Sequence, residues 1–460
     1  NVTEAVAVGD REVEFRFNQK GNRELPKIMG DLAILPKHWW EGTDARGKKR
    51  DITQPTLEIP LGSAAYKIES VKPGQEIVWA RVPDYWGAAL PVKIGRENFD
   101  KRKYVYIQDP NAAWEAFKKG GLSDIRGEAS ARDWMTKYTN FPALSAGDVI
   151  RKEFLAKARA NFQGFALNMR RPEFQDRRVR QALTLAYDFE TMNKTMSFGL
   201  NKRVTSYFMG GELASSGIPQ GKELEILEPF RKDLPPELFT QPFTLPVYNT
   251  PQDERTYLRE ALKLLSDAGW TLKNGKLVNA SGQPFEIELL DNDGSLEPTV
   301  TFYGNALRKI GITLKLRVVD TAQYTNRTNN FDFDMIVAPL AQSESPGNEQ
   351  REFWSSKAAD SPGSRNYSGI KDPIVDKLVE RVVFATDRDD LLAATHALDR
   401  VLLWNYYYVP QLTRDKLFYA YWNKFGIPEK QPDYIGPDTE SWWIDIDKEK
   451  ALAAKYQGSN

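Results

Sequence analysis

Apolar positions recur along the chain at two spacings, and each change of spacing marks an element. From Glu12 to Phe17, polar Glu12, Glu14 and Arg16 alternate with apolar Val13, Phe15 and Phe17, the two-residue period of a half-buried strand. Ala64–Val71 and Glu76–Arg81 predict two more strands, joined by the hairpin turn Lys72-Pro73-Gly74-Gln75. Ile52 to Pro60 carries two prolines and reads as a crossover. Lys103–Ile107 predicts another strand, followed by Asp109-Pro110 and a helix over 111–119 that ends at Gly120-Gly121. Phe165–Met169 predicts a strand, broken by Arg170-Arg171-Pro172. A helix then begins near Asp176, with Val179, Ala182, Leu183 and Ala186 on one face.

From about residue 242 strands and helices alternate. Phe243, Leu245 and Val247 predict a strand, and Pro251 opens a helix with the stripe Leu258, Ala261, Leu262 and Leu265 and a C-terminal cap at Gly269. Asn274-Gly275 marks a hairpin, and Glu286–Leu290 a strand. A helix through Val300, Tyr303 and Leu307 ends at Gly311, and Ile312, Leu314, Leu316 and Val318 form the next alternating strand. Phe331–Val337 predicts a short strand that ends at Pro339. This β-α-β-α-β order is the signature of an open α/β sheet. Two helices follow, one capped by Asp372-Pro373 and one over Asp387–Leu403, then strands at Val409–Leu412 and Leu417–Tyr421.

Composition narrows the chemistry. Lys plus Arg and Asp plus Glu each number 63, so no global charge draws the chain to nucleic acid or an anionic membrane. The basic clusters Lys93–Arg96 and Lys101–Lys103 are interleaved with acids and read as solvated surface. Cysteine is absent, which removes disulfides, thiolate nucleophiles and Cys-based metal sites, and suits an oxidising compartment. Histidine is confined to His38 and His396, with His396 expected on a helix surface. No apolar run reaches the roughly 18–20 residues that span a bilayer. Asn1-Val2-Thr3-Glu4 has neither the basic nor the apolar region of a signal peptide, which exported proteins lose. Aromatic residues make up 12%, and the clusters Trp39-Trp40, Tyr406-Tyr407-Tyr408, Tyr421-Trp422 and Trp442-Trp443 suit a site that encloses an amphipathic ligand.

The loop Leu290-Asp291-Asn292-Asp293-Gly294 superficially suggests a calcium loop, but its glycine falls too early and the closing Glu is missing. It leaves the carboxyl end of a predicted strand, where ligands gather in open α/β sheets, so Asp291 and Asp293 are candidate ligand contacts, with a solvated turn the alternative. No GxSxG, P-loop or GxGxxG motif is present, and no catalytic residue, metal ligand or cofactor is assigned. Abundant carboxylates leave a glycoside hydrolase as the enzymatic alternative, without a motif behind it.

Several segments, in order, resemble one family. Leu61-Gly62-Ser63-Ala64-Ala65-Tyr66-Lys67-Ile68 resembles its "GTGPYKV" strand, Pro83-Asp84-Tyr85-Trp86-Gly87 its "N-x-x-YWG", and Asn111–Phe117 its "R-x-x-A-L-x-x-G" helix. Asn168 through Pro172 and Phe174-Gln175-Asp176-Arg177-Arg178-Val179-Arg180-Gln181-Ala182 are similar to its "N-x-x-x-x-P-F-x-D-x-R-V-R-Q-A" box, and Ala261–Gly269 to its "A-K-x-L-L-x-E-A-G". The family is the family-5 extracellular solute-binding proteins, the oligopeptide and dipeptide receptors of ABC importers. Leu90–Asp100, Thr205–Phe208, Glu212–Ala214 and Ser345-Pro346-Gly347-Asn348-Glu349-Gln350 are similar to its YejA-type subgroup.

The resemblance implies a two-lobed α/β periplasmic binding protein fold (type II, cluster C) with a small extra domain. It assigns 1–58 to the remainder of the extra domain, 59–171 and 430–460 to lobe I, and 172–429 to lobe II. Family members carry a signal peptide and a further long segment before the region that Asn1 resembles, so an N-terminal part is expected to be missing here or to be supplied as a separate chain. The implied protein is a periplasmic, monomeric receptor that closes on a peptide or peptide-like ligand and delivers it unaltered to an inner-membrane ABC permease, with no nucleic-acid partner and no cofactor.

A peptide's terminal charges must be paired once enclosed. In the family an Asp shortly after a strand like 331–337 meets the ligand amine; here the stretch reads Leu340-Ala341-Gln342-Ser343-Glu344. Gln342 or Ser343 takes that place, with Glu344 one position away. Arg327 resembles an arginine that meets ligand carboxylates, and a second such arginine is replaced near Val337. Asn366-Tyr367 resembles an "N-Y-S" ligand segment, Asn348 lies in the subgroup stretch, and Arg170 borders the expected hinge. These departures imply an atypical ligand, such as a cell-wall muropeptide or a peptide-nucleotide; an oligosaccharide receptor of the same fold is the alternative.

Overall fold

The computed structural model describes residues 2–54, 56–155, 161–432 and 436–456. The chain divides into two compact units, one of Asn1–Gly30 with Arg159–Arg414 and the other of Asp31–Ala158 with Asp415–Asn460.

The first unit is built on a five-stranded sheet in the order Thr313–Val318, Glu286–Asp291, Met335–Leu340, Phe162–Leu167, Tyr408–Pro410. The first three strands run parallel, and Phe162–Leu167 runs antiparallel to both of its neighbours. Alternation divides the strand residues between two cores. Phe165, Leu167, Ile287, Leu289 and Met335 pack under the helices Arg177–Leu185, Pro251–Asp267 and Glu297–Lys309. Phe162, Ala166, Leu290, Ile336, Ala338 and Leu340 pack under Pro373–Val383 and Arg388–Trp404. Both faces of this mixed sheet are covered by helices, which buries its inner parallel strands on both sides. The hairpin Val2–Gly9/Glu12–Phe17 belongs to the same unit and is mostly exposed.

Helix boundaries follow the predicted caps. Asp176, Asp372 and Asp387 each accept a backbone N–H of the first turn, and Thr250 with Asp253 completes a capping box ahead of Pro251. Several predicted strands differ: Phe165–Met169 lies at Phe162–Leu167, Lys103–Ile107 at Lys101–Val105, and Val409–Leu412 divides into Tyr408–Pro410 and Leu412–Thr413. Residues 243–247 form no strand: Phe243 turns its ring against Trp404 and Tyr406, and the Pro246 carbonyl accepts from buried Arg203. The strand predicted over 331–337 lies at Met335–Leu340 and continues through Pro339, which registers with Gln163. The Glu286–Asp291 strand registers with it at Met335 alone, so the missing N–H of Pro339 interrupts no ladder on that side.

The second unit holds two three-stranded antiparallel sheets. In one, Lys416–Trp422 lies between Ile125–Glu128 and Val149–Leu155; in the other, Glu76–Arg81 lies between Tyr66–Lys72 and Lys101–Val105. Trp134 stacks on Phe418 with ring centroids 4.9 Å apart, and Phe154, Tyr421, Phe425 and Trp442 form a second aromatic core.

The unit boundaries depart from the expected 1–58, 59–171 with 430–460, and 172–429. Phe162–Leu167 is an inner strand of the first sheet, which carries 159–171 into that unit. Lys416–Trp422 is the middle strand of a second-unit sheet, which carries 415–429 there. Residues 1–30 join the first unit, where Arg23 donates to the carbonyls of Val382 and Pro346. No helix among the described residues is long and apolar enough to cross a membrane.

Candidate functional site

Three parallel strands place the carboxyl ends Asp291, Val318 and Leu340 on one edge of the first unit's sheet. Asp291 is buried: its carboxylate accepts from the Asn292 N–H at 2.9 Å and its carbonyl from the Val319 N–H at 3.0 Å. It shapes the turn, whereas Asp293 is exposed on that turn and accepts from the Ser295 N–H at 2.8 Å. Burial pushes the Tyr324 phenol up to about 12, with Tyr367 and the charge of Asp291 acting in the same direction. After Leu340, Ser343 and Glu344 are exposed; Ser343 Oγ accepts from the Ser345 N–H, and the Glu344 carbonyl accepts from Arg388 Nη1 at 2.6 Å.

Other expected site residues lie toward the opposite edge, around the start of Met335–Leu340. Arg170 donates to Asn168 Oδ1 at 2.9 Å and to the carbonyls of Tyr367, Asn366 and Ala359, and its guanidinium lies 3.6 Å from the Phe331 ring centroid. Burial lowers its pKa to about 10. The Asn366 side chain donates to the Ser355 and Ile370 carbonyls and accepts the Ile370 N–H, so both ends of its amide are engaged. Tyr367 is half-buried, and burial raises its pKa. Arg327 pairs with Glu288 at 2.9 Å and Asp332 at 3.1 Å. The structure therefore separates the expected residues, grouping Asp291, Asp293, Gln342, Ser343 and Glu344 at the strand carboxyl ends and Arg170, Arg327 and Asn366 away from them.

Asn348 belongs to a clasp on a distant segment. Glu24 accepts from the Asn348 N–H at 2.8 Å, and Asn22 and Asn348 exchange side-chain amide hydrogen bonds. Beneath it, Trp354 Nε1 donates to Gln350 Oε1 at 2.8 Å, and Gln350 Nε2 donates to Gln342 Oε1 at 2.7 Å and to Glu349 Oε1 at 3.0 Å. Gln342 Nε2 is buried and has no hydrogen-bond partner in this structure.

Residues 1–362 match the family described as bacterial extracellular solute-binding proteins, family 5 Middle. The chain belongs to that family. The family-5 chain is 46% identical over 96% of its length to the "Probable peptide-binding protein YejA" of Agrobacterium fabrum, of which it covers 72%. It is 34% identical over 95% of its length to the "Peptidoglycan-binding protein YepA" of the same organism, covering 71% of it. Its fold is shared with the oligopeptide-binding protein AppA of Bacillus subtilis, solved with a nonapeptide, at a TM-score of 0.72, 21% identity, 96% of this chain and 78% of that one.

Sequence reading of this family-5 protein missed Asn22, Glu24, Gln350 and Trp354 as partners of the Gln342 loop. The stretch Ser345–Gln350 carries a subgroup signal, but its partner segment lies more than three hundred residues earlier, beyond local spacing. Several aromatic clusters serve packing: Tyr406, Tyr407 and Tyr408 are buried, as are Tyr421, Trp422 and Trp442. His396 is half-buried beside the Glu212 carbonyl, 2.7 Å from Nε2. A cavity of about 390 Å³ is lined by Asp188, Tyr248, Glu254, Phe302 and Lys309. Lys309 ends the helix whose first turn follows the Asp291 loop, which puts that cavity away from the strand carboxyl ends.

Proposed function

We propose that this family-5 protein is a periplasmic receptor that binds peptides and delivers them unaltered to an inner-membrane ABC permease. The observation that carries this reading is the 46% identity, over nearly the whole chain, to a relative named for peptide binding. The ligand-facing set is Asp293, Gln342, Ser343 and Glu344, because ligands of open α/β sheets collect at strand carboxyl ends. Arg170, Arg327 and Asn366 act as scaffold, since their polar atoms already hold internal partners. Binding selects one conformational state, and the permease reads that state. The missing ligand-pairing Asp and the relative named for peptidoglycan binding support a cell-wall peptide as the ligand.

A thermal-shift screen of linear peptides, muropeptides and oligosaccharides tests the reading. A ligand at 100 times its Kd adds about 2.7 kcal/mol of stability. Peptides or muropeptides are expected to raise the melting temperature and to be recovered intact by mass spectrometry. A shift produced by sugars alone, or recovery of a cleaved ligand, would overturn it.

A further inference from the structure

The cavity of about 390 Å³ in the first unit lies where three helices meet, and its volume falls in the range of small-molecule pockets. The helix Glu297–Lys309 lines it with Phe302, Ala306 and Lys309, whose spacing of four and then three residues puts them on one face. Glu254 comes from the first turn of Pro251–Asp267, and Asp188 is the cap of Phe189–Met196. Tyr248 is a wall held at both ends: its hydroxyl donates to the Leu185 carbonyl, and its backbone N–H donates to Glu190 at 3.0 Å. Glu254 and Lys309 form an ion pair, so their charges cancel. Half-buried Asp188 differs. Its Oδ1 accepts the Thr191 N–H at 2.9 Å, while among the described residues Oδ2 accepts no hydrogen bond and no cationic side chain pairs with it. Burial holds the Tyr248 phenol well above its ordinary value, and the carboxylates of Asp188 and Glu254 act in the same direction, so both acids lie near that ring. Buried Arg203 donates to the Pro246 carbonyl at 2.7 Å, feels Glu190 more than Asp188, and does not line the cavity.

We infer that this cavity is a second ligand site, which takes a small organic cation: a protonated primary amine carried on an apolar body. An ammonium has three donors and no acceptor, which suits the open carboxylate oxygen of Asp188. Enclosing such a charge is costly unless it is paired, and Asp188 supplies the pair. The rings of Tyr248 and Phe302 give the apolar body a surface and attract the cation electrostatically. A neutral alcohol of the same shape gains the apolar contacts alone, and a carboxylate meets the charge of Asp188. The cavity lies away from the strand carboxyl ends, so this site is independent of the peptide-receptor reading.

The test is isothermal titration of the full chain with three ligands of similar shape: phenethylamine, phenethyl alcohol and hydrocinnamate. The amine is expected to bind about tenfold more tightly than the alcohol, the increment of one charge-assisted hydrogen bond, and the carboxylate more weakly than either. Asp188→Asn removes the charge but keeps the helix cap, which asparagine supplies as well as aspartate does. It is expected to bring the amine down to the affinity of the alcohol and to leave the alcohol unaffected. Ala306→Leu fills the cavity from the helix face and should abolish binding of both. If Ala306→Leu does not fold, Asp188→Asn decides alone. An amine that binds no more tightly than the alcohol or not at all, a preference for hydrocinnamate, or an amine affinity untouched by Asp188→Asn overturns the inference. Each of these results leaves the receptor reading standing, because that reading is tested by the thermal shift with peptides.

Discussion

Glu24 accepts a hydrogen bond from the backbone N–H of Asn348 at 2.8 Å, across 324 residues of chain. The same carboxylate oxygen also accepts from the Asn348 side chain, and an added Cβ at Gly347 would lie 1.6 Å from it. The Gly21–Leu25 segment is thereby held on the loop that carries Gln342 and Gln350.

Removing that acceptor leaves a part-buried N–H unpaired. Glu24→Ala is expected to destabilise the protein by about 1–3 kcal/mol, read as a lower urea midpoint with unchanged slope. Gly347→Ala should cost a similar amount by pushing the carboxylate away. An unaltered midpoint in both variants would show that the clasp does not contribute to stability.

Asp399 is fully buried and accepts four hydrogen bonds: from Ser206 Oγ, the Tyr207 N–H, and the Ser215 N–H and Oγ. Asp399→Asn retains one oxygen and turns an NH2 group toward these donors, so it is expected to cost about 2–4 kcal/mol. Burial pushes the Asp399 carboxyl above its ordinary value, against the opposing hydrogen bonds of Ser215, Ser206 and Tyr207. The folded chain therefore takes up this proton at higher pH than the unfolded chain, and stability from this group rises as pH falls through the raised value. The gap between wild type and Asp399→Asn should widen on acidification; a gap that closes in urea titrations at several pH values would contradict this assignment.

Caps and periodicity explain why much of the first unit could be read from the chain. Asp176, Asp372, Asp387 and Gly311 act on their own neighbours, and each terminates or starts a helix where the pattern placed it. Phe243–Val247 defeated the same reasoning because alternation records which side chains turn inward and not whether a partner strand exists. Arg170 and Arg327 are charged residues next to a predicted loop, a pattern shared by ligand contacts and by internal clamps. The Phe331 ring, Glu288 and Asp332, which decide between those roles, become neighbours only in the folded unit.

Arg170 is expected to affect stability and not ligand affinity. Lysine keeps the charge but lacks the planar fork that reaches Asn168, Ala359, Asn366 and Tyr367. Arg170→Lys should lower stability by about 1–3 kcal/mol and change peptide affinity by less than a factor of three. Asp293→Asn should do the reverse, weakening affinity several-fold with little change in melting temperature. The two variants exchanging these effects in paired calorimetry and melting experiments would reassign the scaffold and the ligand-facing set.

Gly311 tests how tightly the helix that follows the Asp291 loop is joined to the next strand. Its φ is +81°, and an added Cβ would lie 2.6 Å from both the Leu277 backbone nitrogen and Leu272 Cδ1. Gly275, in the Asn274-Gly275 turn, has a similar φ of +77° but open space around it. Gly275→Ala is thus expected to cost about 1–2 kcal/mol, the penalty of the left-handed conformation alone. Gly311→Ala carries that penalty and a further ~1–3 kcal/mol of overpacking, because the clashing backbone of the 271–278 hairpin cannot rotate away as a side chain can. Urea denaturation of the two variants side by side isolates the steric part. Equal losses would mean that the hairpin shifts freely and that the junction at Gly311 does not hold the helix against the Thr313–Val318 strand.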